Sequence, residues 1–456
     1  MKFAISSSIL SQRLQTLGRV IASKNSMPIL DNFLFQVHNN QLELTASDSE
    51  LTLHTTLELI ESDGPIDFTV NAKTIQEAIK EIPEQPLEFN VDPDNLDITI
   101  TYQNGHYNLV GQNAQEYPLT PELDGEISTL GADASRLYSG INRALFAAAD
   151  DPLRPVMNGV FFDFNAEGLA VVASDGRKLS CTRLLDIQTD TPASFILHKK
   201  PANIVRNILQ KEVGDVTIRF NGRNAVIASE CYDLSCRLIE GKFPNYNSVI
   251  PKDNPNLVTL NRAAMFSALR RVLIFSNAGS PLVKLHIESG RIILSTRDAD
   301  YGRAGEEAVA CQYEGHPMNI GFKGTLLMEL LNNLEGDEII VQLADPSRAG
   351  IIVPAEQQEN EAPEARDESA QQSQGTPEEG WGAAVFAAPP TRSEPTEPAV
   401  EDTIVRDVPS ESDHAETSEV AGLPEDTIVR EVPRDTIVRE VPQDTIVREV
   451  PAGSPS

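Results

Sequence analysis

The 456-residue sequence predicts an α+β fold in which one unit, built from two helices and antiparallel sheets, occurs three times ahead of an acidic tail. Acidic turns recur at Asp48, Asp175 and Asp298, with offsets of 127 and 123 residues, and a lysine-bearing helix start follows each turn. An abrupt change in composition after residue 354 marks the end of the folded part. The predicted limits are 1–122, 127–252 and 255–354 for the three domains and 355–456 for the tail.

Each predicted domain opens with an amphipathic helix. The three segments are SSILSQRLQTLGRVI, DASRLYSGINRALFAA and NRAAMFSALRRVLIF. Apolar residues recur in the first segment at three- and four-residue spacing, which places them on one buried face: Ile9, Leu10, Leu14, Leu17 and Ile21. Asp133 and Asn261 are the predicted N-caps of the second and third segments.

Strands and a second helix follow in each domain. NQLELTAS, GLAVVAS and GRIILST have strand composition and lead into the acidic turns. About 25 residues later, a strand runs into a basic helix start in DFTVNAKTIQEAIKEI, SFILHKKPANIVRNIL and MNIGFKGTLLMELLNNL. Each domain then closes with strands, as in PLEFNVDPDNLDITITY, where Asp-Asn suits a hairpin turn. The predicted order is therefore helix, strands, helix, strands.

Basic side chains concentrate at these helices, whereas acidic side chains crowd the turns. The net charge of −31 excludes a protein that binds nucleic acid over its whole surface, but it is compatible with a local basic face. Lys and Arg on helices contact phosphates without reading bases. The alternative for any single position is a solvated surface charge. The candidates for DNA binding are Arg19, Lys24, Lys73, Arg136, Arg143, Lys199, Lys200, Arg271 and Lys323.

The tail differs from the rest of the chain in charge and composition. Residues 355–456 hold 7 Arg and 24 Asp+Glu, a net charge of −17, together with 12 of the 30 Pro. Such a segment buries too little apolar surface to offset its ordering entropy, so we expect disorder. DTIVRDVP at 402–409 and DTIVREVP at 426–433, 435–442 and 444–451 are either duplicated linker or an array of short partner motifs. Trp381 and Phe386 are the tail's two aromatic residues and its predicted anchor.

The sequence lacks the motifs of common catalytic and metal sites. GxxxxGK[ST], GxSxG, HExxH and a complete EF-hand loop are absent, and the four Cys have no CxxC spacing. We therefore expect no enzyme activity, no cofactor and no metal. No apolar run approaches the roughly 20 residues that span a bilayer, and the N-terminus does not read as a secretory signal. These features predict a cytoplasmic protein without a membrane partner.

Five stretches resemble the bacterial β sliding clamp family: MKF at 1–3, SMPILDNFLFQV at 26–37, SDGRKLSCTRL at 174–184, EGKFPNYNSVIP at 240–251 and IIVP at 351–354. The resemblance covers residues 1–354. It implies a chain that dimerises head to tail into a helix-lined ring around duplex DNA, without base specificity. It also implies a processivity factor that tethers the replicative DNA polymerase and repair proteins through short peptide motifs, with an ATP-using clamp loader as a further partner.

The resemblance also carries two sets of site residues. The family's groove for partner peptides, between the second and third domains, maps onto Met157, Ser174, Gly176, Arg177, Leu179, Pro244, Val249, Ile351, Ile352, Val353 and Pro354. The head-to-tail contact maps onto Tyr107 and Leu109 of an edge strand and onto Ile274 and Phe275 after a helix. Ordinary core packing is the alternative for the apolar members of both sets.

Two departures from the family and two rival functions remain open. Pro354 is followed by about a hundred residues where the family ends, and Ser248 stands where a larger basic residue can occur. A protein–protein scaffold with repeated sheets and no DNA role is one rival. A metal-dependent hydrolase that uses the Asp pairs is the other, although no nucleophile or His accompanies them.

Overall fold

The computed structural model describes residues 1–118, 123–346, 348–355 and 382–385. The described residues all fall in one compact unit, Met1–Glu394. The rest of the chain, Pro395–Ser456, lies outside the described residues, and so do the DTIVR repeats, Trp381 and Phe386.

In the part of the first domain that the structure describes there are ten strands and two α-helices. The helices are α1 (Ser7–Leu17) and α2 (Ala72–Lys80). The strands are β1 (Lys2–Ser6), β2 (Asn32–His38), β3 (Gln41–Ser47), β4 (Leu51–Glu58), β5 (Glu61–Ser62), β6 (Ile66–Asn71), β7 (Pro86–Val91), β8 (Asp97–Tyr102), β9 (Gly105–Val110) and β10 (Gln112–Asn113).

The second domain repeats this plan with eight strands and two helices. The helices are α3 (Ala134–Leu145) and α4 (Lys199–Leu209). The strands are β11 (Ser128–Asp133), β12 (Gly159–Asn165), β13 (Gly168–Ser174), β14 (Leu179–Leu184), β15 (Ala193–His198), β16 (Asp215–Phe220), β17 (Asn224–Ala228) and β18 (Asp233–Arg237).

The third domain has helices α5 (Arg262–Val272) and α6 (Gly324–Asn333). Its strands are β19 (Asn256–Asn261), β20 (Leu282–Glu288), β21 (Arg291–Asp298), β22 (Arg303–Gln312), β23 (Met318–Lys323), β24 (Glu338–Leu343) and β25 (Ile351–Pro354). A last strand, β26 (Gly382–Val385), lies within the segment predicted to be disordered tail. The structure thus describes four residues of the predicted disordered tail as a strand, and the predicted domain limits stay a prediction.

The strands form sheets that run across the domain boundaries. One sheet of the first domain has the order β5-β1-β7-β8-β9. A second, β10-β6-β2-β3-β4-β18-β17-β16-β11, joins the first and second domains through β4 and β18. The third, β15-β12-β13-β14-β26-β25-β24-β19-β22-β21-β20-β23, joins the second and third domains. The α+β class with three repeated domains of antiparallel sheets and two helices is confirmed.

The repeat is visible in local geometry as well as in topology. The side chain of Asp48 accepts hydrogen bonds from the N–H groups two and three residues on, at 3.1 and 2.8 Å, and Asp175 does the same at 2.8 and 2.9 Å. Asp298, which is buried at the end of β21, accepts a hydrogen bond from the N–H group two residues on, at 3.2 Å. Asp133 and Asn261 are N-caps as predicted, since each accepts from a backbone N–H of the first turn.

Each domain begins with a strand rather than with the predicted helix. β1, β11 and β19 precede the first helices, and each pairs with a strand from after the second helix. The helices bury one face against the sheets, as Leu10, Leu14 and Leu17 of α1 do. One apolar core runs through the first and second domains, and another fills the third.

Candidate functional site

The second and third domains meet where β26 lies between β14 and β25. All four residues of β26 pair antiparallel with the first four residues of β14. Two of them, Ala384 and Val385, pair on the other side with Ile352 and Ile351. The sheet is thereby continuous from one domain to the next, and the junction brings the SDGRKL turn close to the end of the third domain.

The turn between β13 and β14 is held by its own side chains. Asp175 accepts hydrogen bonds from the N–H groups of Arg177 and Lys178, and Ser174 Oγ accepts one from the Gly176 N–H at 3.1 Å. Gly176 has φ +84°, a conformation that L side chains rarely adopt. The SDG sequence is therefore required by this turn, which presents Arg177 to solvent.

A buried ammonium group links this turn to the third domain. Lys178 Nζ lies 3.0 Å from Asp175 Oδ2 and 2.9 Å from Glu329 Oε2 on α6, and its side chain is 10% exposed. Burial opposes the charge on Lys178, but the hydrogen bonds to Glu329 and Asp175 outweigh it and raise the pKa of the amine. Burial likewise opposes ionisation of Asp175, yet hydrogen bonds from the Lys178 and Arg177 N–H groups lower the pKa of that carboxyl.

A polar cavity of about 420 Å³ opens beside this ion pair. Its charged lining residues are Asp150, Asp151, Arg154, Asp175, Arg177, Lys178, Lys199 and Glu329. Arg154 donates to Asp151 Oδ2 at 2.8 Å and its Nη1 lies 3.7 Å from the sulfur of Met157. The cavity thus places cationic and anionic side chains of the second domain next to a carboxylate of the third.

An apolar cluster lies under the junction. Its buried members from the two domains include Leu179, Phe243, Tyr246 and Ile351. Phe243 stacks on Phe161 with ring centroids 4.8 Å apart. The Tyr246 hydroxyl donates to Asp163 Oδ2 at 2.8 Å, and burial together with this hydrogen bond raises the pKa of the phenol. An apolar floor with a few polar groups at its rim is the usual form of a peptide-binding site.

The structure brings together most of the predicted groove residues. Met157 and Ser174 are buried at the turn, Pro244 and Val249 are exposed, and Val353 packs against the apolar cluster. Ile352 is the exception, because its side chain is buried in the third domain's own core. Successive side chains of a strand point to opposite faces, so Ile352 reaches the junction through its backbone alone.

Sequence reasoning missed several residues of this site. Phe161, Phe243 and Tyr246 form the aromatic floor, and Lys178 forms the ion pair between domains. The FPNY run was available as a signal, since an aromatic pair flanking Pro in a polar loop indicates a packed anchor. Strand β26 had no signal beyond a short uncharged run at 380–391 inside the acidic tail.

The candidate DNA-binding residues divide into two groups. Five of them are in ion pairs with carboxylates: Arg136 with Asp186, Arg143 with Glu335, Lys199 with Asp150, Lys200 with Asp48 and Arg271 with Glu307. Arg143–Glu335 and Lys200–Asp48 connect different domains. Within the described part of the chain, the other four are exposed and have no ion pair: Arg19, Lys24, Lys73 and Lys323.

Comparisons with known proteins identify the family. Models of the N-terminal, central and C-terminal domains of the DNA polymerase III beta subunit match residues 1–121, 132–245 and 247–364. A beta sliding clamp of Caulobacter vibrioides is 27% identical over 365 residues, 77% of this chain and 96% of that protein. One of Pseudomonas putida is 26% identical over 353 residues, with 77% and 95% covered. The chain belongs to the bacterial β sliding clamp family.

Solved structures agree with this assignment. The DNA polymerase III beta subunit of Thermotoga maritima matches at a TM-score of 0.74 and 26% identity, over 86% of this chain and 100% of that chain. A sliding clamp from Pseudomonas aeruginosa has the same fold, at a TM-score of 0.76 and 24% identity. Family membership confirms the resemblance seen in the sequence and establishes sliding-clamp function; the scaffold alternative is not favoured.

Two strand edges of this sliding clamp at opposite ends of the repeat, those of β9 and β22, lack a partner strand among the described residues, as the other terminal strands of the three sheets also do. β9 ends the first sheet, and β22 pairs with β21 along Arg303–Ala310 but has no described strand on its other side there. Tyr107 and Leu109 of β9 are half-buried against the first domain's core. Ile274 and Phe275, in the turn that follows α5, are 69% and 42% exposed.

The described part of this sliding clamp shows neither a metal-binding group nor a membrane-spanning helix. No three His, Cys, Asp or Glu side chains among the described residues come together as a metal site. None of the helices in these residues is long and apolar enough to cross a bilayer. Asp298 and Asp300, the pair considered for a hydrolase, instead face the amide of Asn277.

Proposed function

We propose that two copies of the chain close head to tail into a ring around duplex DNA in the cytoplasm. The observation that supports closure is the internal repeat. β4 and β18 join the first and second domains edge to edge. When the domains are superposed by their strand order, β22 of the third domain corresponds to β4 of the first domain. In the same way, β9 of the first domain corresponds to β18 of the second domain. β22 of one copy and β9 of another would therefore pair as β4 and β18 do. Two such contacts between two copies would close a ring of six domains.

Exposed apolar side chains sit beside these edges. Phe275 packs against β22 at Gly305, where an added Cβ would lie 2.8 Å from the ring, and Ile274 next to it is largely exposed. Burying an apolar side chain of this size stabilises a contact by roughly 1.5–3 kcal/mol. This pair would give the edge-to-edge contact an apolar centre.

The DNA contact of the ring would be electrostatic and without sequence preference. Lys73 is the second residue of α2 and Lys323 is the N-cap of α6, so both lie at the start of a second helix, and both are exposed. Arg19 and Lys24 follow α1. Lys and Arg that meet phosphates position DNA but do not read bases, and such a contact permits sliding.

The junction of the second and third domains would receive short peptide segments of DNA polymerases, repair proteins and a clamp loader. The aromatic floor, the polar cavity and the turn at Gly176 support this assignment. An apolar floor beside a strand edge suits an extended peptide carrying Leu or Phe. The chain itself would act as a tether rather than as a catalyst.

The test of topological linkage uses one plasmid in two forms. The labelled full-length chain is placed on nicked circular DNA by a clamp loader and ATP, freed of excess protein, and then the DNA is cut once. A ring is retained on the circle and lost from the linear form within the time needed to slide off. Equal retention on both forms, or retention that depends on base sequence, would refute the ring.

A further inference from the structure

We propose that a separate groove, at the junction of the first and second domains, holds the acidic stretch 407–426 of the chain's own tail. The peptide site proposed above lies at the other junction, between the second and third domains, and the assignment of the acidic stretch does not depend on it. The geometry and charge of the first junction, together with the sequence of the tail, support this assignment.

The internal repeat gives the two junctions a common backbone frame. β4 pairs with β18 at the first junction, as β14 pairs with β26 at the second. An Asp that accepts hydrogen bonds from the N–H groups two and three residues on precedes both β4 and β14. A cavity of about 320 Å³ opens beside the first of these turns, and Ser49, Glu50 and Thr52 line it. We call this cavity the first-junction groove.

The floor of the first-junction groove is polar, unlike the apolar floor at the second junction. Thr52 of β4 pairs with Ser235 of β18, and both line the groove. Leu179, which is 127 residues after Thr52 and follows the equivalent turn, belongs to the apolar cluster of the second junction. Val226 adds a small apolar surface between the polar groups. A floor of this kind suits a polar segment better than a peptide anchored by Leu or Phe.

Two guanidinium groups make the first-junction groove positive, although the chain as a whole carries a charge of −31. Arg223 and Arg237 line it, and Glu50 is the one carboxylate among its described lining residues. Within the described part of the chain, Arg223 is exposed and has no ion pair. Arg237 lies 3.9 Å from Glu50 and 3.6 Å from Glu240, and the three side chains are between 59% and 66% exposed. Ion pairs this long and this exposed stabilise little, so another carboxylate can replace them.

The tail contains an anionic segment that matches this groove. Residues 407–426 hold seven Asp+Glu and neither Lys nor Arg, whereas the rest of the chain after Val385 holds nine Asp+Glu and six Arg. The stretch lies between the first copy of the DTIVR repeat and the other three. Opposite charges on a groove and on a segment favour their association over that of other segments. The uninterrupted acidic stretch is therefore the part of the tail that fits two unpaired or loosely paired guanidinium groups.

The chain is long enough to bring this stretch to the groove. β26 ends at Val385 next to β14, so the 21 residues 386–406 precede the stretch. At roughly 3.3–3.6 Å per residue they span up to about 70 Å. The second domain separates the two junctions, and a domain of roughly 100 residues has a radius of gyration of about 13 Å. The connection therefore exceeds the width of one domain.

The test uses full-length chains and a fluorescein-labelled peptide with the sequence of residues 407–426. In one variant, the neutralised chain, the carboxylates of the stretch become amides, so that the chain's own tail no longer competes for the groove. A tethered segment has an effective concentration of about millimolar, so the parent's groove is occupied at micromolar peptide. By fluorescence anisotropy at low salt, the peptide should bind the neutralised chain at least tenfold more tightly than the parent. The substitutions are Asp407→Asn, Glu411→Gln, Asp413→Asn, Glu416→Gln, Glu419→Gln, Glu425→Gln and Asp426→Asn.

Two matched pairs of substitutions in the neutralised chain locate the site. Arg223→Glu with Arg237→Glu reverses the charge of the groove and should weaken peptide binding at least tenfold. Lys284→Glu with Arg297→Glu makes the same change of charge at two exposed strand residues of the third domain and should change the affinity less than twofold. All four side chains are exposed, so both variants should melt with the neutralised chain. If the arginine variant melts lower, Arg223→Gln with Arg237→Gln removes the charges without reversing them and should also weaken binding.

The outcomes separate the groove from its occupant. If the neutralised chain does not bind the peptide, or if the control pair weakens binding as much as the arginine pair, the groove is not a site for an acidic segment. If the parent and the neutralised chain bind the peptide equally well, the tail does not occupy the groove and the proposal is overturned in favour of an acidic segment of another protein.

Discussion

Replacing Lys178 by Met should destabilise the junction of the second and third domains in a pH-dependent way. The substitution keeps an unbranched apolar side chain of similar length but removes the ammonium group that contacts Asp175 and Glu329. Asp175 keeps its hydrogen bonds from backbone N–H groups, since these do not depend on the side chain at 178. The change therefore isolates the ion pair.

The expected loss is about 2 kcal/mol, because a hydrogen bond to a charged group contributes about 1.5–3 kcal/mol and an exposed ion pair about 0.2–1 kcal/mol. The side chain of Asp175 is 23% exposed, so its contact with Lys178 counts as a hydrogen bond to a charged group. The side chain of Glu329 is 54% exposed, so its contact counts as an exposed ion pair. The Met variant no longer has to bury an ammonium group, and this removed cost offsets part of the sum of the two contributions. The compact unit spans Met1–Glu394, so a loss of this size lowers its melting temperature by roughly 2–3 °C.

The sign of the pH dependence follows from the two pKa shifts. Asp175 has a lowered pKa, so its contribution is present above its ordinary value of 3.8 and is lost as the pH falls through the folded value. Lys178 has a raised pKa, so its contribution is complete below 10.5 and is lost as the pH rises through the folded value. The difference between parent and variant should be constant near neutrality and should shrink below about pH 4.

Calorimetry at equal protein concentration measures this difference at pH 7 and at pH 3. Lys242→Met, at an exposed lysine, is the control and should change stability by less than about 0.5 kcal/mol. A melting temperature within 1 °C of the parent at pH 7, or a deficit that is equal at both pH values, would show that the ion pair does not stabilise the junction.

Three other outcomes are expected. The double variant Ile274→Ala, Phe275→Ala should stay folded but sediment as a monomer at concentrations where the parent is a dimer, because both side chains are exposed in the single chain. Replacing Lys73 and Lys323 together by Ala should reduce the slope of log affinity against log salt by about two units for any DNA sequence, measured by fluorescence titration. Gly168→Ala should cost about 2–4 kcal/mol in urea unfolding, since φ is +134° and a Cβ would lie 2.5 Å from the Leu184 carbonyl oxygen.

The helices and their caps could be predicted because their signals are local. Side-chain oxygens of Asp133 and Asn261 accept hydrogen bonds from N–H groups two or three residues away, and apolar spacing reports the buried face directly. The opening strands were missed for the opposite reason. β1 is five residues long and pairs with β7, more than 80 residues further on, so no neighbouring residue reveals it.

The sequence also could not predict which basic side chains form ion pairs and which stay exposed. Arg143 and Glu335 are 192 residues apart, and Lys200 and Asp48 are 152 apart, so their pairing depends on how the domains meet. The periodic placement of Lys and Arg predicted a basic face, but it could not distinguish cations that hold domains together from those left exposed. Lys73 and Lys323 belong to the second kind, which makes them the sharpest probes of DNA contact.

Strand β26 shows why a strand that follows a long acidic connection is hard to predict from the sequence. Gly and Ala have low strand propensity, so the sequence GAAV of β26 does not read as a strand by itself. Its identity follows only from the edges of β14 and β25, which would otherwise face each other unpaired, and exposed strand edges of this kind invite association. A chain that ends after Pro354 lacks this strand, so the described fold requires the segment through Val385 even though composition alone assigns that segment to the acidic tail.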